Sequence, residues 1–132
     1  MAIMEKFLLT NKVAVVTGSG RGIGRSIALG YAEAGAHVVV SARRMEEINA
    51  VAAEIRAKGR KVLAVKTDFL EVSEIEELAD AAISEFGKVD IWVNNVGGAS
   101  DRTLRTLITT PQEAWINQID LNLKSAWAGA RA

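Results

Sequence analysis

Five short stretches of this sequence carry residue types that could do chemistry. The first, Thr17-Gly18-Ser19-Gly20-Arg21-Gly22-Ile23-Gly24, is rich in glycine. Backbone without Cβ atoms lets a ligand approach where a side chain would collide. A helix starting there also aims unpaired N–H groups at the ligand, which favours an anion such as a pyrophosphate. Gly18, Gly22 and Gly24 make a G-x-x-x-G-x-G pattern, and residues 20–24 match the commoner G-x-G-x-x-G only in part. No Gly-Lys-Ser/Thr triplet follows, so a P-loop is excluded. The other stretches are Ser41-Ala42-Arg43-Arg44, Lys66-Thr67-Asp68-Phe69-Leu70, Asn94-Asn95-Val96-Gly97-Gly98, and Asn122 among apolar neighbours.

Elements that would position these groups are legible around each of them. Val13 to Val16 is an apolar, β-branched run that reads as a buried strand, and the glycine turn after it reads as a strand-to-helix connection. Ile23, Ile27, Ala28, Tyr31 and Ala32 then fall at helical spacing and are expected to face a sheet, with Gly35 as the stop. Further strands are read at His37 to Ser41, Val62 to Val65 and Ile91 to Val93. Between them, Met45, Ile48, Val51, Ala52 and Ile55 mark one amphipathic helix, closed by Gly59. Ile75, Leu78, Ala79, Ala82 and Phe86 mark the next, closed by Gly87. Capping boxes are expected at Ser73/Glu76 and at Thr110/Glu113, with Pro111 at the first helical position. Trp115, Ile119, Leu123, Ala126, Trp127 and Ala130 carry a last helix to the terminus, its two tryptophans expected in ordinary core packing.

The strands are apolar throughout, as parallel strands covered on both faces are. With right-handed crossovers, the expected fold is α/β, a doubly wound parallel sheet of strand order 3-2-1-4 in a single domain over residues 1–132. In such sheets a ligand lies at the carboxyl ends of the strands, where four of the five stretches fall. Ala42 stands near the point where a dinucleotide site usually places an acid. With no carboxylate there to repel a 2′-phosphate, and arginines able to pair with it, NADP(H) is favoured over NAD(H); the alternative is that Arg43 and Arg44 merely begin a helix in solvent. Asp68 could accept from an adenine amino group with Phe69 beside the ring, or could hold its own backbone as a loop aspartate. Asn122, on an apolar face, reads as a structural bridge or a site residue.

Composition narrows the classes. Sixteen basic and 16 acidic residues give a formal net charge of zero, which argues against nucleic acid or an anionic membrane as partner. There is no cysteine, hence no disulfide, thiolate metal site or cysteine nucleophile, and no metal site is expected. The first residues lack the apolar core of a signal peptide and no run approaches membrane-spanning length, so a cytoplasmic protein is expected.

Taken together, Thr17-Gly18-x-x-x-Gly22-Ile23-Gly24, Asp68, Asn94-Asn95-Val96-Gly97 and Asn122 within Asp120-Leu121-Asn122-Leu123-Lys124-Ser125 resemble the short-chain dehydrogenase/reductase family along the whole chain. The resemblance implies a cofactor-binding set of Gly18, Ser19, Arg21, Gly22, Ile23, Gly24, Arg43, Arg44, Asp68, Phe69, Asn95, Val96 and Gly97. Within it, Gly18, Arg21 and Ile23 would line the pyrophosphate path and Arg43 would read the 2′-phosphate. Asp68 would hold adenine, Asn95 and Gly97 would border the ribose, and Asn94 would brace the sheet. Asn122 matches the asparagine of the family's catalytic tetrad, which supports a proton-relay water.

Two departures stand out. Val96 replaces the family's usual alanine, and the serine and Tyr-x-x-x-Lys pair of the family are missing. The one tyrosine, Tyr31, reads as helix packing. The resemblance thus implies the cofactor-binding half of an NADP(H)-dependent oxidoreductase acting on a carbonyl or secondary alcohol, such as a 3-oxoacyl or sugar/polyol substrate. The alternative is a non-catalytic nucleotide-binding module. A homo-oligomer formed through the last helix and the exposed sheet edge is expected in either case.

Overall fold

A computed structural model describes residues 2–99 and 102–132. After a 3-10 turn at Ile3–Phe7, strands and helices alternate: β1 (Val13–Thr17), α1 (Gly22–Glu33), β2 (His37–Ala42), α2 (Met45–Ala57), β3 (Val62–Lys66), α3 (Val72–Phe86) and β4 (Ile91–Val93). A helical run closes the chain as α4 (Gln112–Ile119), a π turn (Asp120–Lys124) and α5 (Ser125–Arg131). The strands form one parallel sheet ordered β3-β2-β1-β4, in register Val15 beside Val39 and Trp92. This is the doubly wound α/β arrangement, with β1 and β2 buried at its centre.

Alternation along the central strands divides the core between two faces. Val16, Val38 and Val40 pack with Ala28 and Ala32 of α1 and with Ile48, Val51, Ala52 and Ile55 of α2. Val15 and Val39 pack on the other face with Phe69, with Ile75, Leu78 and Ala82 of α3, and with Ala128 of α5. Tyr31 packs at the edge of the first cluster, as a helix-packing residue.

Local details differ from the sequence expectations. Neither capping box forms. Helix α3 begins at Val72 with Glu71 as N-cap, and the cap makes no side-chain hydrogen bond. The preceding turn is closed by Asp68 instead, whose Oδ1 accepts the Leu70 N–H at 3.0 Å while the Glu74 carboxylate accepts the Asp68 N–H at 2.6 Å. Pro111 is the N-cap of α4, not its first residue, and the Thr110 hydroxyl donates to the Thr106 carbonyl at 2.8 Å. Ile23 does not face the sheet: it is 75% exposed, because the first turn of α1 meets the end of β1 through its neighbour Gly24 instead. Trp115 and Trp127 are not core residues either, at 55% and 52% exposed.

At the opposite end of the strands, Asp90 fastens β4 to β1. Its Oδ2 accepts the Val13 N–H at 2.9 Å, and the ammonium groups of Lys88 and Lys12 lie 2.9 and 3.5 Å from the carboxylate. The Lys88 hydrogen bond, followed by that from Val13, holds the Asp90 carboxyl below its ordinary value of 3.8. A depressed carboxyl contributes stability that is present above its unfolded pKa and lost as pH falls through the folded one. Asp90→Ala should therefore lower the melting temperature at neutral pH, with the gap to wild type narrowing below the lowered Asp90 pKa. Melting curves of both proteins across acidic pH check this; a gap independent of pH would contradict it.

Candidate functional site

The four strand ends converge on a cleft of about 300 Å³. Gly18, Gly20 and Arg21 reach it from the turn after β1, and Ala42, Arg43, Arg44 and Glu47 from the end of β2 and the start of α2. Asp68, Phe69 and Leu70 line it after β3, and residues 95–99 after β4, with Arg102 and Leu121 completing the wall. Of the residues expected from sequence, Gly18, Arg21, Arg43, Arg44, Asp68, Phe69, Asn95, Val96 and Gly97 therefore meet in one place. Ser19, Gly22, Ile23, Gly24 and Asn122 do not line it, and the structure gives most of them positioning work.

The turn is held by contacts that leave no room for side chains. A Cβ on Gly24 would lie 2.2 Å from the Gly18 carbonyl oxygen and 2.5 Å from Asn95 Nδ2. Gly18 and Gly22 take the left-handed conformation, at φ +63° and +57°, which glycine alone adopts without strain. No heavy atom comes within 4 Å of a Cβ built on Gly22, so it opens toward the outside. Ser19 is buried, and its hydroxyl accepts the Ser41 N–H at 2.8 Å. The Ser41 hydroxyl in turn donates to the Thr67 hydroxyl at 2.7 Å, so Ser41, through its backbone N–H and its hydroxyl, ties the ends of β1, β2 and β3 together.

Asn95 completes the turn. Its Nδ2 donates to the carbonyls of Thr17 and Gly18 at 3.0 and 3.1 Å, using both amide hydrogens. The Thr17 hydroxyl donates to the Val93 carbonyl at 2.9 Å and accepts the N–H groups of Asn95 and Val96 at 3.0 and 3.3 Å. Asn95 thus borders the cleft while its amide is committed to the turn. Asn94 braces β4: its Oδ1 accepts the Trp92 indole N–H at 2.9 Å. Both groups close on α5, where a Cβ on Gly129 would lie 2.3 Å from Asn94 Oδ1 and 2.5 Å from Trp92 Nε1.

Asn122 is exposed in this chain, where the sequence had placed it on a buried face. It sits in the π turn, and its Oδ1 accepts the Gly98 N–H at 2.8 Å while Nδ2 donates to the Gly98 carbonyl at 2.9 Å. The same nitrogen donates to the Gln118 carbonyl at 2.9 Å. This two-bond clamp fixes the loop that follows β4.

The arrangement suits a dinucleotide. Arg21, the N-cap of α1, makes no side-chain cap, and the first turn of that helix carries no acid. Its N–H groups are therefore available to an anion. Arg21, Arg43, Arg44 and Arg102 add positive charge to the cleft walls, and Phe69, 5% exposed, offers an apolar edge.

A family model described as short chain dehydrogenase matches residues 12–132. The chain belongs to the short-chain dehydrogenase family. It is 47% identical over 107 residues to an uncharacterized oxidoreductase of Mycobacterium tuberculosis, covering 81% of this chain and 41% of that protein. It is 41% identical over 118 residues to the 3-oxoacyl-(acyl-carrier-protein) reductase FabG of Staphylococcus epidermidis, covering 89% of this chain and 47% of the reductase. A solved 7 alpha-hydroxysteroid dehydrogenase, complexed with NADH and 7-oxo glycochenodeoxycholic acid, superposes with a TM-score of 0.90 at 37% identity, covering 99% of this chain and 50% of that one. The chain spans about half the length of the relatives it matches or less. Members of this family bind a nicotinamide dinucleotide.

Sequence reasoning missed Glu47, Ala99, Arg102 and Leu121 as wall residues, because none of them belongs to the stretches that directly follow a strand. Thr17 was the readable exception, a polar residue ending an otherwise apolar run.

The close approach at Gly24 predicts a contrast within one helix. Gly24→Ala should cost about 1–3 kcal/mol of stability or more through overpacking and abolish dinucleotide binding. Gly30→Ala, on the same helix with no heavy atom within 4 Å of its Cβ, should gain about 0.5–1 kcal/mol and leave binding intact. Denaturant melts and fluorescence titration with NADPH measure both.

Proposed function

We propose that residues 1–132 supply the cofactor-binding half of an NADP(H)-dependent oxidoreductase, which transfers hydride to or from a carbonyl or secondary alcohol. The observation that carries the cofactor choice is the wall between β1 and β2. Ala42 ends β2 without a carboxylate, and Arg21, Arg43 and Arg44 line the cleft around it. Arg43 is exposed and reads the 2′-phosphate. Gly18, Arg21, Gly22, Ile23 and Gly24 shape the pyrophosphate path, Ser19 and Asn95 hold that path in place, and Arg44 supports the phosphate end. Asp68 and Phe69 flank adenine, and Val96 and Gly97 border the ribose. When bound, the cofactor would donate the hydride to a carbonyl or accept it from an alcohol.

Asn122 is the residue of this segment that matches the family's catalytic asparagine, and it holds the Gly98 backbone at the cleft wall. The acid/base of the reaction is assigned to a Tyr-x-x-x-Lys pair outside residues 1–132, since Tyr31 packs against the core. The 3-oxoacyl reductases and hydroxysteroid dehydrogenases among the relatives make a hydrophobic carbonyl compound the substrate class to test first, ahead of sugars and polyols. No helix among the described residues is long and apolar enough to cross a membrane; a cytoplasmic setting belongs to the same proposal.

Arg43→Ala should weaken NADPH binding by roughly tenfold or more, as expected for loss of a charge-assisted phosphate contact, while leaving NADH nearly unchanged. Calorimetric titration with each cofactor decides this, and equal loss for both would refute phosphate reading.

Self-association is favoured by a separate observation. Trp115, Ile116, Ile119, Leu123 and Trp127 form an exposed apolar stripe along α4, the π turn and α5, of the kind that marks an interaction surface. The proposed occupant is a second copy. Leu123→Glu should shift a dimer to monomer in sedimentation experiments without changing the far-ultraviolet circular dichroism.

A further inference from the structure

Glu47 is an acid among arginines. It lies in the first turn of α2, and its Cβ and Oε2 each sit 2.9 Å from the point a Cβ on Gly20 would occupy. The Ala42 methyl lies 3.4 Å from that same point. Glu47 Oε1 accepts from Arg44 Nη1 at 3.1 Å, and the side chain is 28% exposed. The carboxylate therefore stands on the β1–β2 wall, beside the empty side-chain position of Gly20, and occupies one of the guanidinium groups that would otherwise face a phosphate.

Two consequences follow from charge alone. A 2′-phosphate brought to this wall meets a carboxylate of the same sign near the arginines that attract it. A ribose with a free 2′-hydroxyl meets an acceptor, which Ala42 does not provide. Resting on the cofactor reading above, we propose that Glu47 is a cofactor-specificity residue: its carboxylate stands in for the missing strand-end acid toward NAD(H) and narrows, without reversing, the preference for NADP(H) that the arginines set. Gly20 is part of the device, since any side chain there would displace Glu47 from the wall.

Calorimetric titration of the chain with NADPH and with NADH tests this. Glu47→Gln should tighten NADPH and weaken NADH, moving the preference between them by roughly threefold to tenfold at low salt. The NADPH gain should shrink as salt is raised. Gly20→Ala, which moves the carboxylate without removing it, should shift the preference in the same direction. If both variants change the two cofactors by equal factors, or change neither, Glu47 is only a helix-start residue and the proposal fails. If wild type binds neither cofactor, the cofactor reading itself is overturned and this proposal falls with it.

Discussion

The site depends on one close approach, that of the first turn of α1 to the backbone leaving β1. A Cβ at Gly24 would lie 2.2 Å from the Gly18 carbonyl oxygen, closer than any packed pair of atoms permits. Because the two backbones meet without a side chain between them, the Gly18 and Thr17 carbonyls can share the single amide of Asn95. The turn, the helix start and the end of β4 are thereby one rigid unit. Any residue larger than glycine would separate them, and the anion cradle would lose its geometry before any ligand contact changed.

Around that unit the sheet order does the assembling. Placing β1 between β2 and β4 brings the turn between the arginines after β2 and the asparagines after β4. The hydrogen bonds from Ser19 through Ser41 to Thr67 then carry the alignment out to β3. Each of these three hydroxyls is buried; Ser19 pairs with the Ser41 backbone and the Ser41 hydroxyl with that of Thr67, so each has a partner inside the core. Positive charge gathers on the walls, with Glu47 and Asp68 as the two acids among it.

The helical run from α4 to α5 serves two sides at once. A four-residue step slightly overshoots a full turn of α-helix and falls short of a full π turn. The π turn at Asp120–Lys124 thus keeps Trp115, Ile119, Leu123 and Trp127 on one outward stripe. It also presents Asn122 to Gly98, whose N–H and carbonyl it pairs. Ala128 and Gly129 face inward to the sheet, where Gly129 admits Asn94 and Trp92. The surface stripe, the loop clamp and the core contact come from one stretch of sequence.

By itself the sequence determined the alternation of strands and helices, the parallel order and the residues that follow each strand. Those features rest on local periodicity and on where glycine interrupts it, as at Gly35, Gly59 and Gly87. It also marked Asn95, Arg43 and Asp68 as residues of one site, because strand-end positions converge in any sheet of this order. What only the tertiary structure decided was what each polar group is spent on. Ser19 and Asn95 read as ligand contacts, yet their hydrogen bonds go to Ser41 and to the β1 turn. Ser73 and Thr110 read as caps, yet Asp68 and Thr106 close those turns. Glu47 joined the site with no sequence signal at all, since it reaches the cleft from inside a helix across the space above Gly20. Periodicity reports which face a residue takes, whereas a hydrogen bond or a steric gap depends on atoms contributed by segments distant in the chain.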